Sequence, residues 1–218
     1  MCGIIGFSIS NNIDYSNKIF QKSFDKLTHR GPDFQKIISK DNSNNKIKVG
    51  FCRLSIQDLS DKANKIFSDD ENSLLFNGEI YNYKELKNKY FSNLKFETQT
   101  DTEFLFHFLK KFGFNKITEV NGIFAIAWIN YKNNRITLAR DFTGVKTLYY
   151  LHENKNFYFC SEAWFLYEVS KDKQSNFDAL NFYLRYGFNH IEECIFKNIY
   201  KVLPGEIIEY SLEKNQLK

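Results

Sequence analysis

Proline is nearly absent from this 218-residue chain, at two copies. With the surplus of Lys, Asn, Ile and Phe (23 Phe), that scarcity reads as coding background rather than chemistry. No apolar run approaches the roughly 18 residues a membrane span requires. No basic n-region and apolar h-region lead the chain; Met1 is followed directly by Cys-Gly-Ile-Ile-Gly-Phe, so no signal peptide is expected. The four cysteines, Cys2, Cys52, Cys160 and Cys194, make no C-x-x-C pair, which excludes the usual metal and redox spacings. Charge of one sign is also lacking. Thirty basic residues against 26 acidic leave a net +4, and the lysines are scattered, so there is no basic face for nucleic acid. Repeats, low-complexity tracts and long linkers are missing too. What remains is a globular chain of ordinary composition, 43% hydrophobic and 26% charged, expected in a reducing cytoplasm with free thiols.

The apolar pattern that is present predicts elements in separated runs. Strands are expected at Ile4 to Ser10, at Phe34 to Ser39 and Ile47 to Cys52 around a polar turn over 41–45, and at Leu74 to Phe76, ending at Asn77-Gly78-Glu79. Others are expected at Ile123 to Ile129, Ile136 to Ala139, Leu148 to Leu151, Phe157 to Cys160 and Glu206 to Tyr210. Helical spacing appears over Ser16 to Leu27, where Ile19, Phe20, Phe24 and Leu27 share a face and Gly31-Pro32 stop the helix. Thr100-Asp101-Thr102-Glu103 fits a capping box that opens a helix to Phe112, and a last helix covers Phe177 to Tyr186. Such runs predict an α+β fold of stacked sheets covered by helices. One domain over residues 1–210 is expected, with 211–218 as a tail or the start of a linker.

Cys2 becomes the first residue once Met1 is removed, and then carries both a thiol and a free α-amine. With reference values of about 8.5 and 7.7–8.0, the amine is substantially neutral near neutral pH and can serve as base to the thiol, as in the threonine–amine pairing. Amide hydrolysis further needs oxyanion donors and groups that hold both ends of a substrate. Asn77-Gly78 offers a side-chain amide and a backbone N–H, although its composition equally fits a β-turn. Arg53 can fork onto a carboxylate or form a surface salt bridge. Glu79 and Asp101 can hold an ammonium group, or be a solvated acid and a helix N-terminal charge.

Taken together and in order, these segments resemble the class II glutamine amidotransferases, which are N-terminal-nucleophile hydrolases. The opening Met1-Cys2-Gly3-Ile4-Ile5-Gly6 resembles the family's start, and His29-Arg30-Gly31-Pro32-Asp33 its H-R-G-P-D. Arg53-Leu54-Ser55-Ile56-Gln57-Asp58-Leu59-Ser60 is similar to R-L-S-I-x-D-L-S, and Asn77-Gly78-Glu79-Ile80-Tyr81-Asn82 to N-G-E-I-Y-N. Thr100 to Glu103, Asn121 to Ala125, Ala139 to Lys146 and Ile195 to Gly205 complete eight matches between Cys2 and about Tyr210. The N-G-E-I-Y-N and H-R-G-P-D versions point to the asparagine synthetase branch.

The resemblance implies a four-layer αββα fold of two mainly antiparallel sheets. It implies that Cys2 attacks the glutamine amide to form a γ-glutamyl thioester, with Asn77 and Gly78 stabilising the oxyanion. Arg53 would hold the α-carboxylate and Glu79 and Asp101 the α-amino group, while backbone groups of Leu54, Ser55, Ile56 and Gln57 line the pocket. No metal and no organic cofactor is implied for this half-reaction. ATP and Mg belong to a synthetase domain whose S-G-G-x-D-S loop is absent here. The implied partners are L-glutamine and that ATP-dependent synthetase domain, in the same full-length chain or as a separate subunit, with a homodimer left open; neither nucleic acid nor membrane is implied. The residues Phe51-Cys52, Lys65-Ile66-Phe67, Thr147 and Trp164 depart from the family pattern without removing a catalytic group. Two other readings are an amidotransferase with a sugar or natural-product acceptor, and a non-catalytic interaction domain. Retention of the site residues argues against the latter.

Overall fold

Strand β1 (Gly3–Ile9) shows how the layers arise. All seven residues are buried, so both faces of the strand must be covered. Ile4 joins one apolar cluster, while Ile5, Phe7 and Ile9 join another on the opposite side. In a strand, alternate residues face opposite ways, so one sequence run feeds two cores.

The computed structural model describes residues 1–10, 13–42, 45–189, 192 and 194–218. Of the polar turn expected over 41–45, Ser43 and Asn44 lie outside the described residues. After β1 come α1 (Ile13–Leu27), β2 (Phe34–Asn42), β3 (Asn45–Arg53), β4 (Phe67–Ser68), β5 (Asn72–Ile80), α2 (Tyr83–Phe91) and α3 (Asp101–Phe112). Then follow β6 (Gly122–Asn130), β7 (Arg135–Arg140), β8 (Tyr149–Glu153), β9 (Asn156–Cys160), α4 (Ala163–Val169), α5 (Phe177–Tyr186), β10 (Tyr200–Lys201), β11 (Ile207–Ser211) and β12 (Gln216–Leu217). They form two six-stranded sheets, ordered β10-β8-β9-β1-β3-β2 and β12-β11-β7-β6-β5-β4. Every strand pairing within them is antiparallel.

Between the sheets, Ile4, Val49 and Phe51 of the first meet Leu75, Ala127 and Leu138 of the second in one cluster. On the outer face of the first sheet, Phe20, Phe24 and Leu27 of α1 and Phe165 and Leu166 of α4 cover Ile5 and Phe7. On the outer face of the second, Phe104, Leu105 and Phe108 of α3 cover Phe76, Ile126 and Trp128. The layers are therefore helix, sheet, sheet, helix, as the αββα expectation has it.

Three local expectations differ from the structure. β5 does not stop at Phe76: it runs through Asn77 and Gly78, which pair with Ala125 and Phe124 of β6. Gly78 permits this because a Cβ there would lie 2.3 Å from the Ile123 carbonyl oxygen. In the capping box Thr100 does accept from the Glu103 N–H at 3.2 Å, but the Glu103 carboxylate reaches past the cap to the N–H groups of Glu97 and Thr98. Residues 211–218 are not a loose tail. Glu213, Lys214 and Asn215 make a turn, Asn215 taking φ +50°, and β12 returns to pair with β11 (Tyr210↔Leu217).

Candidate active site

β1 and β3 lie side by side with Gly3 opposite Cys52. That register sets Cys2 beside Arg53, at the same end of the sheets as the C-terminal half of β5. A cavity opens there, lined by Cys2, Arg53, Leu54, Ile56, Gln57, Asn77, Gly78, Glu79 and Asp101, together with Met1 and Lys146. These residues come from the N-terminus, the end of β3 and its loop, β5 and the first turn of α3. The fold thus gathers segments 100 residues apart in sequence into one cleft. Ser55 alone of the expected site residues does not line it. Its Oγ accepts from Arg53 Nη1 at 2.6 Å, and its N–H donates to Asp33 at 2.6 Å.

Cys2 is the half-buried thiol of the four; Cys52, Cys160 and Cys194 are buried. Its Sγ lies 3.9 Å from the Leu54 carbonyl oxygen. Burial pushes the thiol above its ordinary value, against the opposing pull of that carbonyl contact, the N-terminal charge and Arg53. A thiol held protonated at neutral pH needs a base to become a nucleophile. With Met1 in place the Cys2 nitrogen is tied up in a peptide bond and is no base; removal of Met1 would free it as an α-amine.

Asn77 is 1% exposed, and its Nδ2 is buried with no hydrogen-bond partner. An orphaned buried donor costs about 1–3 kcal/mol, and native proteins keep few of them. One that lines the same cavity as a thiol is suited to an oxyanion that exists only during reaction. The β-turn alternative for Asn77-Gly78 is set aside, since both residues sit in the β5–β6 ladder.

Arg53 is 7% exposed, so it is no surface salt bridge. Its four terminal N–H groups are all engaged. Nη1 donates to Ser55 Oγ and to Asn64 Oδ1, each at 2.6 Å, and Nη2 donates to the carbonyls of Gln57 at 2.6 Å and Asp58 at 2.9 Å. Arg53 therefore shapes the 54–58 loop as well as placing positive charge at the cavity. Asp101 opens α3 and is 5% exposed. Its Oδ2 accepts from the Ile80 N–H at 2.9 Å. Burial raises its carboxyl to about 6, with the Glu79 charge adding to the rise against the lowering by the Ile80 and Thr102 contacts. Glu79 is exposed at the mouth, where its Oε1 accepts from Gln57 Nε2 at 3.3 Å.

Sequence reasoning assigned no role to several supports. Arg30 Nε donates to the Cys2 carbonyl at 3.1 Å, and Arg30 Nη1 to Glu162 at 3.2 Å. Ser161 Oγ accepts from the Ile4 N–H at 3.0 Å. The H-R-G-P-D motif was the available signal for Arg30, yet its contact spans 28 residues and no spacing rule reveals it. The buried Asp141 carboxylate accepts from the backbone N–H groups of Phe124, Thr143 and Val145, which fixes the loop that brings Lys146 to the cavity. Among the described residues, no three His, Cys, Asp or Glu side chains are grouped to hold a metal ion, and no helix is long and apolar enough to cross a membrane.

A family model described as "Glutamine amidotransferase domain" matches residues 1–218. The chain is 33% identical to a putative asparagine synthetase (glutamine-hydrolyzing) 2 of Methanocaldococcus jannaschii, with 100% of this chain and 45% of that protein covered. It is 30% identical to asparagine synthetase (glutamine-hydrolyzing) 2 of Bacillus subtilis, with 100% of this chain and 30% of that protein covered. The chain thus spans less than half the length of these relatives. Among solved structures, the allosteric regulatory enzyme of purine biosynthesis superposes with a TM-score of 0.67 at 18% identity, covering 100% of this chain and 48% of that one. A B. subtilis glutamine phosphoribosylpyrophosphate amidotransferase gives 0.65 at 17%, again covering 100% and 48%. At such identity these two carry the fold alone.

Proposed function

The chain belongs to the glutamine amidotransferase domain family, and on that footing we propose that it hydrolyses the side-chain amide of L-glutamine with Cys2 as nucleophile. The observation that carries the reading is the orphaned Nδ2 of Asn77, a residue that lines the same cavity as Cys2. With Met1 removed, the α-amine of Cys2 takes the thiol proton, directly or through one water, and Sγ attacks the amide carbon. The carbonyl electrons move onto oxygen, where the Asn77 amide and the Gly78 N–H receive the charge. The intermediate collapses as the protonated amine returns its proton to the leaving nitrogen. Ammonia departs and a γ-glutamyl thioester remains. Water, deprotonated by the same amine, attacks the thioester, and glutamate and the free thiol are regenerated.

In this reading Glu79 and Asp101 take the α-ammonium and Arg53 supplies positive charge for the α-carboxylate. The backbone of the Leu54–Gln57 loop, held by Arg53, forms the wall. Every step falls to groups of the protein, and ATP and Mg are assigned to an ammonia-accepting synthetase domain. The asparagine synthetase names of the relatives support aspartate as the acceptor substrate there. Four cysteines with no disulfide between them suit a reducing compartment, which supports the cytoplasm.

The test is glutamate release from glutamine by protein whose processed N-terminus is verified by mass, against a Cys2→Ala control. Release well above the control is expected only when Met1 is gone. Equal release from both proteins would remove Cys2 from the mechanism.

A further inference from the structure

Gln57 lines the cavity, and its amide is oriented by its neighbours. Its Nε2 donates to Glu79 Oε1 at 3.3 Å. A carboxylate only accepts, so this contact settles which end of the amide is which. The Gln57 Oε1 is left buried with no donor. Glu79 and Asp101 line the same cavity, and the hydrogen bonds of their carboxylates are to Gln57, Ile80 and Thr102. Two carboxylates and an amide oxygen without a donor thus belong to residues of one cavity, which Lys65, Thr100, Thr102 and Lys146 also line.

An α-ammonium group has three N–H donors in tetrahedral array. We infer that Gln57 Oε1 accepts one of them, beside Glu79 and Asp101, so that its side-chain amide reads the α-amine of the substrate. The inference rests on the glutamine reading above and adds a side-chain role to a residue expected to contribute only backbone. The Arg53 bond to the Gln57 carbonyl holds the main chain, so that the amide is presented from a fixed point. The Nε2–Glu79 contact couples the two acceptors, setting both before substrate arrives.

The test compares glutamine with glutaramate, the same amide without the α-amine, on the processed chain. Gln57→Leu is expected to raise KM for glutamine about tenfold or more, the loss of one hydrogen bond to a charged group. It should lower kcat/KM for glutamine at least about tenfold more than kcat/KM for glutaramate. Gln57→Met, of nearly equal length, is expected to match it and serves if the leucine variant folds poorly. An unchanged KM for glutamine, or equal losses on both substrates, would overturn the inference and assign Gln57 to loop structure. If the unmodified chain hydrolyses glutamine while the Gln57 variants behave like it, this inference alone falls. If the unmodified chain releases no glutamate and Cys2→Ala binds no glutamine by titration calorimetry, the glutamine reading falls and takes it along.

Discussion

Replacing Asn77 by alanine separates catalysis from stability in a way the structure makes quantitative. Most buried polar side chains have partners, so deleting them orphans something else. Asn77 Nδ2 is already the orphan, and its burial costs the folded state about 1–3 kcal/mol. Asn77→Ala removes that cost together with a few packing contacts. Net stability should therefore stay within about 1 kcal/mol, a shift in Tm of no more than about 4 °C for a chain of this length. The rate behaves differently. A donor that meets only the oxyanion contributes about 2.7–4 kcal/mol in the transition state, or about 10²–10³ in kcat, and nothing to the ground state. KM should hardly move. Steady-state glutamate release and a thermal melt on the same preparation measure both. A kcat within about tenfold of the unmodified enzyme would refute the oxyanion role. A Tm lowered by more than about 8 °C would show instead that the amide holds the fold together.

Arg53→Ala should raise KM for glutamine at least about tenfold, because it removes both the positive charge at the cavity and the bonds that hold the 54–58 loop. Arg53→Lys should fail to restore it, because one ammonium cannot serve the four acceptors on Ser55, Asn64, Gln57 and Asp58; full recovery in the lysine variant would leave Arg53 with charge alone. Asp101 titrates near 6 because of burial, so KM for glutamine should climb as pH falls through about 6 and the acid ceases to attract an ammonium. Asp101→Asn should show a raised KM without that dependence, read from KM against pH between 5 and 8. The same residue has a stability consequence. Its folded value exceeds the unfolded value of about 3.9, so the folded state binds more protons between them, and stability declines as pH rises from about 4 to 6. Melts of Asp101→Asn should lack that decline.

How much of this was legible beforehand depended on how local each signal is. The helix Phe177–Tyr186 was bounded to the residue, because Asn176 and Gly187 punctuate it: Asn176 accepts from the Ala179 N–H, and Gly187 takes the left-handed conformation. The helices α2 and α4 were missed. α2 carries Tyr83, Leu86, Tyr90 and Phe91 on one face, a stripe of two turns in nine residues, and α4 is seven residues long, too short for a period to register. β5 was cut short because Asn-Gly is the commonest language of turns, and only the partner strand reveals that Gly78 is needed for close approach. Within the site, Cys2, Asn77 and Asp101 were named from motif order. That Arg53 is bound internally, that Arg30 holds the Cys2 carbonyl and that Gln57 has an idle oxygen all depend on how loops fold over one another, which no window of sequence encodes.

The strand that delivers Cys2 has a history during synthesis. β1 lies inside its sheet, flanked by β3 and β9, with Gly3 opposite Cys52 and Ile5 opposite Cys160. β1 is thus completed on its second side only by β9, Asn156–Cys160, made far later than β1 itself. Until then an apolar edge, Gly3 to Ile9, is open to pairing with any other chain. A chain without β9 would leave that edge unpaired with a thiol at its tip, and the non-local pairing of β1 with β9 is of the kind that closes slowly.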